Sequence, residues 1–318
     1  MTETEHISTR QRTTDHMNDL FTSTDPMKVI EFYSYFDNRE QLIQWMRERP
    51  KSPGYIHEVD GDREIIVVIT TADFHGKYAT ECREHIFNGL HIIFVESGGR
   101  DDPYFNSAHN INLGMKKALE YDPKWIVFSS DDVFKIDDVS MLVNQLKQLN
   151  PLEFDTIFTH PPGKYHSNPG FVGTPNFFYR ILMNITGHWN KELYRLIKKF
   201  CGKQYMPIVG KSFKKRTFIT KHLFNVVQEI ILTEDFMILS SRFVADHDGL
   251  IFDETYINGE EDSDISIRLN KNGRHTFINY RLGDYVGGTL GTGINRRFRS
   301  VATTSYFSYK IENGLLDL

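Results

Sequence analysis

Residues 105–134 read FNSAHNINLGMKKALEYDPKWIVFSSDDVF, and this stretch decides the fold class. Ala108, Ile111, Met115, Ala118 and Leu119 recur near helical spacing, which predicts a helix over Phe105 to Leu119. Trp125 to Phe128 is a short unbroken apolar run, the pattern of a strand buried on both faces. It ends in Ser130-Asp131-Asp132. Helix, buried strand and acidic turn make one repeat of an α/β alternation.

The same alternation continues outward. Upstream, Ile65 to Ile69 is a β-branched run, Tyr78 to Phe87 reads as a helix closed by Asn88-Gly89, and Ile92 to Val95 is a second buried strand ending in Glu96-Ser97-Gly98-Gly99. Downstream, Val139 to Leu149 reads as a helix and Thr156 to Thr159 as a fourth strand. Strands alternating with helices of this length imply right-handed crossovers and a mainly parallel sheet. Ligands of such sheets bind beyond the carboxyl ends of the strands. Glu96, Ser97, Asp131 and Asp132 fall at those ends.

The flanks read differently. Met1 to Pro26 is polar and Thr-rich and reads as a loose tail. Val29 to Phe36 reads as a strand, Arg39 to Arg47 as a short amphipathic helix, and Pro50 to Gly61 as a connection. His160 to Thr233 breaks the rhythm. Between Lys191 and Lys221 ten Lys and Arg stand against one acid, Glu192, interleaved with aromatics. Phe236 to Leu239 resumes as a strand, Asp264 to Asn270 lies in a helix ended by Asn272-Gly273, and Thr276 to Asn279 is a last strand. The glycine-rich run beyond, from Gly283 to Gly293, reads as a loop able to close over a ligand.

A chain of 318 residues can bury a sizeable core, and 40% apolar with 25% charged residues is ordinary globular composition. A net charge of −5 leaves no global nucleic-acid footprint, so nucleic acid is an unlikely partner. Cys82 and Cys201 cannot build a disulfide framework, which fits a reducing compartment. No apolar run approaches a membrane span, and the polar N-terminus has no signal-peptide core. The expected location is cytoplasmic, with peripheral attachment to the inner face of a membrane open. Asn184-Ile-Thr186 matches a glycosylation acceptor pattern and is read as chance.

The second acidic centre is GEEDSDISIRL, Gly259 to Leu269, which sets Glu260, Glu261, Asp262 and Asp264 at a helix start. A macrodipole explains one or two acids there, not four. Asp264 and Arg268 form an i,i+4 pair that serves the helix, leaving Glu261 and Asp262 for chemistry. Asp131-Asp132 has two readings, a cation grip on a nucleotide diphosphate or a turn with a helix cap. Glu96-Ser97-Gly98-Gly99 is either a nucleoside cradle or a strand-ending turn. His109, Asn110 and Asn112 lie near a helix start that faces the same crevice. The remaining histidines show no metal spacing.

Taken in order, the segments IIVVITTAD, FVESGG, SAHNINLGMKKALEYDPKWIVFSSDDVF and FMILSSRFVADHDGLIFDETYINGEEDSDISIRLNKNG resemble the family 2 type of GT-A glycosyltransferases, which are inverting and use nucleotide-sugar donors. The resemblance covers about 64–159 and 236–280. It implies an α/β fold of GT-A (Rossmann-like) type with a mostly parallel sheet flanked by helices; the helical basic insertion expected from the sequence at 160–233 has no counterpart in the family. It implies one catalytic domain over 27–290, with a nucleotide-sugar and metal half (64–159), a basic insertion (160–233) and an acceptor and catalytic half (234–290), between tails at 1–26 and 291–318.

The resemblance also assigns roles. Asp262 takes the place of the catalytic base, with Glu261 before it. Thr70, Thr71, Glu96, Ser97, His109, Asn110 and Asp131 take nucleotide-sugar-binding places. Asp132, supported by Asp131 and with Asp284 as a third candidate, would hold Mn²⁺ or Mg²⁺. Ser130 stands at the first position of the DxD-type motif, a departure from the family pattern. The implied partners are a nucleotide-sugar donor and an acceptor glycan. The basic run 191–221, read for itself, is either a solvated charged face or a surface that docks to an anionic membrane and presents a lipid-linked acceptor. Two other functions stay open: a sugar nucleotidyltransferase, which would want a basic glycine-rich loop absent from Ala72 to Lys77, and a catalytically silent glycan-binding or scaffold protein.

Overall fold

A computed structural model of the chain describes residues 14–97, 102–159, 167–172, 228–233, 236–285 and 294–316. The basic run 191–221, Gly98-Gly99 and most of the glycine-rich loop lie outside them. In chain order the helices are α1 (14–22), α2 (Pro26–Ser34), α3 (Arg39–Glu48), α4 (Lys77–Glu81, continued by a π turn, Cys82–Ile86), α5 (Ser107–Leu119), α6 (Val139–Lys147), α7 (Ser241–Asp246), α8 (Glu261–Asn272) and α9 (Ile294–Glu312). The strands are β1 (Tyr55–Val59), β2 (Asp62–Thr71), β3 (Leu90–Glu96), β4 (Trp125–Ser130), β5 (Val133–Lys135), β6 (Thr156–Thr159), β7 (Ser167–Val172), β8 (Gln228–Thr233), β9 (Phe236–Ser240), β10 (His275–Ile278) and β11 (Leu282–Asp284).

The chain divides into two compact units. One comprises Met1–Pro50, Gly173–Gln228 and Gly288–Asn313; the other comprises Lys51–Val172, Glu229–Gly287 and Gly314–Leu318.

In the first unit α1, α2, α3 and α9 pack together. Two segments differ from expectation. Residues 14–22 are helical rather than loose, because Met17, Leu20 and Phe21 share one face and are buried. Val29 to Phe36 is largely helix rather than strand. Asp25 caps α2 by accepting from the Met27 N–H, Pro26 stands at its first position, and Val29, Ile30, Phe32 and Tyr33 are buried at helical spacing. The C-terminal tail contains the 19-residue helix α9. The phenol of Tyr33 donates to the Phe298 carbonyl at 2.6 Å, and Arg299 donates to the carbonyls of Phe21, Thr22 and Ser23.

The second unit is built on a seven-stranded mixed sheet in the order β1-β3-β2-β4-β9-β6-β10. β2 is parallel to β3 and β4, and β6 to β10; β1 runs antiparallel to β3, and β9 antiparallel to both neighbours. Five strands therefore point one way. β2 explains the layering. Ile65, Val67 and Ile69 face one hydrophobic cluster with Ala79, Leu142 and Leu146, while Ile66 and Val68 face another with Ala108, Ile111, Met115, Ile265 and Leu269. Successive side chains point to opposite faces, so helices on both sides bury the strand completely. Each such side chain contributes about 1.5–3 kcal/mol. α5 lies close to the sheet because residue 114 is glycine: a Cβ there would stand 2.2 Å from Val68 Cγ1.

Residues 55–59 form β1, where sequence reading expected a connection. Thr276 to Asn279 is not the last strand either, since β11 follows β10 and pairs with β5 in a separate two-stranded sheet.

Candidate functional site

Three parallel strands end side by side. Thr71 is in register with Glu96, and Thr70 with both Val95 and Ser130. The residues at these ends are tied together. The Thr71 hydroxyl donates to Asp131 Oδ2 at 2.6 Å and accepts from the Asp73 N–H at 3.2 Å. The Ser97 N–H donates to the Thr71 carbonyl at 3.2 Å. Thr71 and Ser97 are buried, and Glu96, Asp131 and Asp132 are half-buried. Burial, with Asp132 and Asp73 adding like charge against the Thr71 hydrogen bond, pushes the Asp131 carboxyl up to about 6. The thiol of Cys82, 3.5 Å from the Asp131 carbonyl oxygen, is pushed up by burial and by the charges of Asp131, Glu81 and Asp132.

β11 closes on this turn from far along the chain. Asp284 is in register with Val133, the residue after Asp132, and the Tyr285 N–H donates to the Asp132 carbonyl at 2.7 Å. Backbone pairing therefore brings the chain at Asp284 alongside the Asp131-Asp132 turn. The Asp284 side chain lies outside the description. Among the described residues no group of three or more His, Cys, Asp and Glu side chains is assembled that could hold a metal ion.

The second acidic centre reaches the same edge along α5. β9 is antiparallel to β4, so the chain leaves the sheet at the opposite edge, at Ser240. It turns through α7 and returns along α5 from the C-terminal to the N-terminal end of that helix. Gly249 packs on Lys116 with a φ of +72°. Asn112 clasps Phe252, donating to its carbonyl at 2.9 Å and accepting from its N–H at 3.0 Å. His109 Nδ1 meets Glu254 Oε2 at 3.0 Å. The Asn106 amide donates to the carbonyls of Glu254 and Tyr256, at 3.0 and 2.9 Å. At the end of this path the Ser107 side chain comes close enough to act on the Glu261 carboxyl. Because α5 follows β3, its first turn stands at the carboxyl edge of the strands.

α8 begins there. Gly259 and Glu260 both take positive φ, 112° and 69°, and turn the chain sharply into the helix. The Gly259 N–H donates to the Glu261 carboxylate. Burial first, and the neighbouring Asp262 charge second, raise the Glu261 carboxyl well above the usual range. Asp262 is half-buried, its Oδ1 accepting from the Ser263 N–H at 2.7 Å. The Asp264–Arg268 pair is present at 3.3 Å, and Asp264 also accepts from the Tyr256 hydroxyl at 3.0 Å.

The expected site residues thus fall into three groups. Thr70, Thr71, Glu96, Ser97, Asp131 and Asp132 cluster at the strand ends, and Glu261 and Asp262 arrive through α5. His109 is engaged by Glu254 rather than free, and Asn110 turns inward. Asn110 is fully buried, its amide oxygen beside Gly54, because its place on α5 faces the sheet. Burial raises the Glu254 carboxyl, but hydrogen bonds from His109 and Asn112 and the Lys51 charge outweigh it and hold the group down at about 2. Sequence reading passed over Glu254, Asn106 and Ser107. Only Asn106 carried a signal, an Asn before an apolar helix, where its side chain caps His109 N–H at 2.8 Å. No protein-family model matches the chain, and no curated protein matches it.

Proposed function

We propose that the chain is an inverting glycosyltransferase of GT-A type, moving a sugar from a nucleotide-sugar donor to an acceptor hydroxyl, with Asp262 as the base. The observation that carries this reading is the ladder along α5. It delivers Glu261 and Asp262 to the edge where Glu96, Asp131 and Asp132 end their strands. One acidic centre suits a nucleoside diphosphate and the other a reacting hydroxyl.

The donor set fits a divalent cation. Asp131 and Asp132 supply hard oxygen ligands, and Mg²⁺ or Mn²⁺ uses one or two carboxylates when phosphate oxygens fill other positions. Asp284 is the third candidate. A bound cation would offset the negative charge that grows on the departing diphosphate.

The chain's own residues do the rest. Glu96 and Ser97 hold the nucleoside. The acceptor oxygen attacks the anomeric carbon as the bond from that carbon to the diphosphate oxygen breaks, and the hydroxyl proton passes to an Asp262 carboxylate oxygen. A hydroxyl is a poor nucleophile at neutral pH, so a positioned base is needed. One displacement opposite the leaving group inverts the anomeric centre. Glu261 stands beside Asp262, its carboxyl raised first by burial and then by the Asp262 charge.

The acceptor is proposed to be a glycan or lipid-linked glycan, on the strength of the basic, aromatic run 191–221. Among the described residues no helix is long and apolar enough to cross a membrane. A thermal-shift screen of UDP-, GDP- and dTDP-sugars with Mn²⁺ tests the reading, since a ligand that binds only the folded state stabilises it. Stabilisation by one donor class is expected; silence with all three, and no release of nucleoside diphosphate, contradicts it.

A further inference from the structure

β1 brings a residue to the strand ends that the proposed function does not use. His57 lies on this edge strand in register with Phe94, two positions before Glu96. Its Nε2 stands 2.8 Å from Glu96 Oε2. An ionised carboxylate only accepts, so Nε2–H is the donor. The imidazole also lies flat on Phe74, with centroids 4.3 Å apart and planes 5° apart. Phe74 is itself fixed: it meets Phe94 edge-on at 5.3 Å, the Arg83 guanidinium lies 5.1 Å from its centroid, and Arg83 donates to its carbonyl at 2.7 Å. The ring that holds Glu96 is therefore clamped.

Glu96 is left with one oxygen held and the other without a hydrogen bond among the described residues, on a side chain 25% exposed. A charged acceptor fixed in this way matches a ligand that presents hydroxyl donors at a defined place. We propose that His57 is a positioning residue that fixes Glu96 to accept from the ribose hydroxyls of the nucleotide. The proposal rests on the nucleotide-sugar reading of the site and deepens it.

Two substitutions separate the two things His57 does. His57→Phe keeps a ring on Phe74 and removes the donor; His57→Gln keeps a donor and removes the ring. Calorimetry with Mn²⁺ compares UDP and GDP with their 2′-deoxy counterparts on the intact chain. Wild type should prefer the ribonucleotide by about tenfold or more, the scale of one charge-assisted hydrogen bond. His57→Phe should lose most of that preference, and His57→Gln should keep it. A purely structural histidine would change overall affinity or melting temperature without changing the ratio. If His57→Phe does not fold, His57→Met replaces it as the donorless partner of His57→Gln. An unchanged ratio in the donorless variant, or equal binding of ribose and deoxyribose by wild type, overturns the inference and leaves nucleotide binding intact. No binding of any nucleotide by wild type brings down the nucleotide-sugar reading, and this inference with it.

Discussion

Thr71 and Asp131, sixty positions apart in sequence, are joined by a 2.6 Å hydrogen bond across the ends of two parallel strands. The bond fixes the first carboxylate of the Asp131-Asp132 turn against the sheet. Asp131 has few other means of offsetting its burial, and its carboxyl sits up at about 6 even with this bond.

Thr71→Val should therefore lower stability by about 1–3 kcal/mol, the cost of leaving a buried acceptor unpaired. Thr71→Ser should restore most of it. Urea unfolding of the two variants beside wild type checks this.

Asp132→Ala should weaken cation and nucleotide binding together. If the cation bridges the carboxylate and the diphosphate, neither ligand binds well without the other. Calorimetry that finds unchanged, Mn²⁺-dependent nucleotide affinity in the variant would count against Asp132 as a ligand.

Glu254 supplies a pH dependence. Its carboxyl is held at about 2, below the ordinary 4.5, by His109, Asn112 and Lys51 working against burial. A depressed carboxyl stabilises the fold fully above the unfolded value, and the contribution is lost as pH falls from about 4.5 towards 2. The shift corresponds to roughly 3 kcal/mol at neutral pH. Glu254→Gln should cost stability at pH 7 and flatten the acid limb of the stability curve. A curve parallel to wild type across that window would show that Glu254 is not the group responsible.

The alternating core was legible because strands covered on both faces leave unbroken apolar runs. Ile65 to Ile69, Ile92 to Val95 and Trp125 to Phe128 all lie in strands, and Thr71, Glu96 and Asp131 follow as strand ends. What was missed lacked that signature. β1 is an edge strand with Tyr55 and Ile56 exposed, so its sequence does not read as core. α2 reads locally as a strand because Val29, Ile30, Phe32 and Tyr33 are β-branched or aromatic, and only its packing in a helical unit settles the matter. The partnership of Glu254 with His109 spans 145 positions, and no local pattern announces it.

The basic run 191–221 lies outside the described residues, and its expected role rests on sequence. Flotation with anionic liposomes should carry the protein upward at low salt and fail at high salt, since each basic residue near such a surface contributes about 1 kcal/mol. Changing Lys214, Lys215 and Arg216 to Glu should reduce binding. Indifference to anionic vesicles at low salt would point to a soluble acceptor.

The most direct measurement compares wild type with Asp262→Asn, using the donor found by the thermal-shift screen. Acceptor-dependent release of nucleoside diphosphate and donor affinity are followed side by side. The amide keeps the shape of Asp262 but cannot take the acceptor's proton, so transfer should fall roughly 10²–10⁴-fold while the donor binds as before. Transfer within about threefold of wild type would contradict the account, because a site that works without Asp262 does not use it as its base.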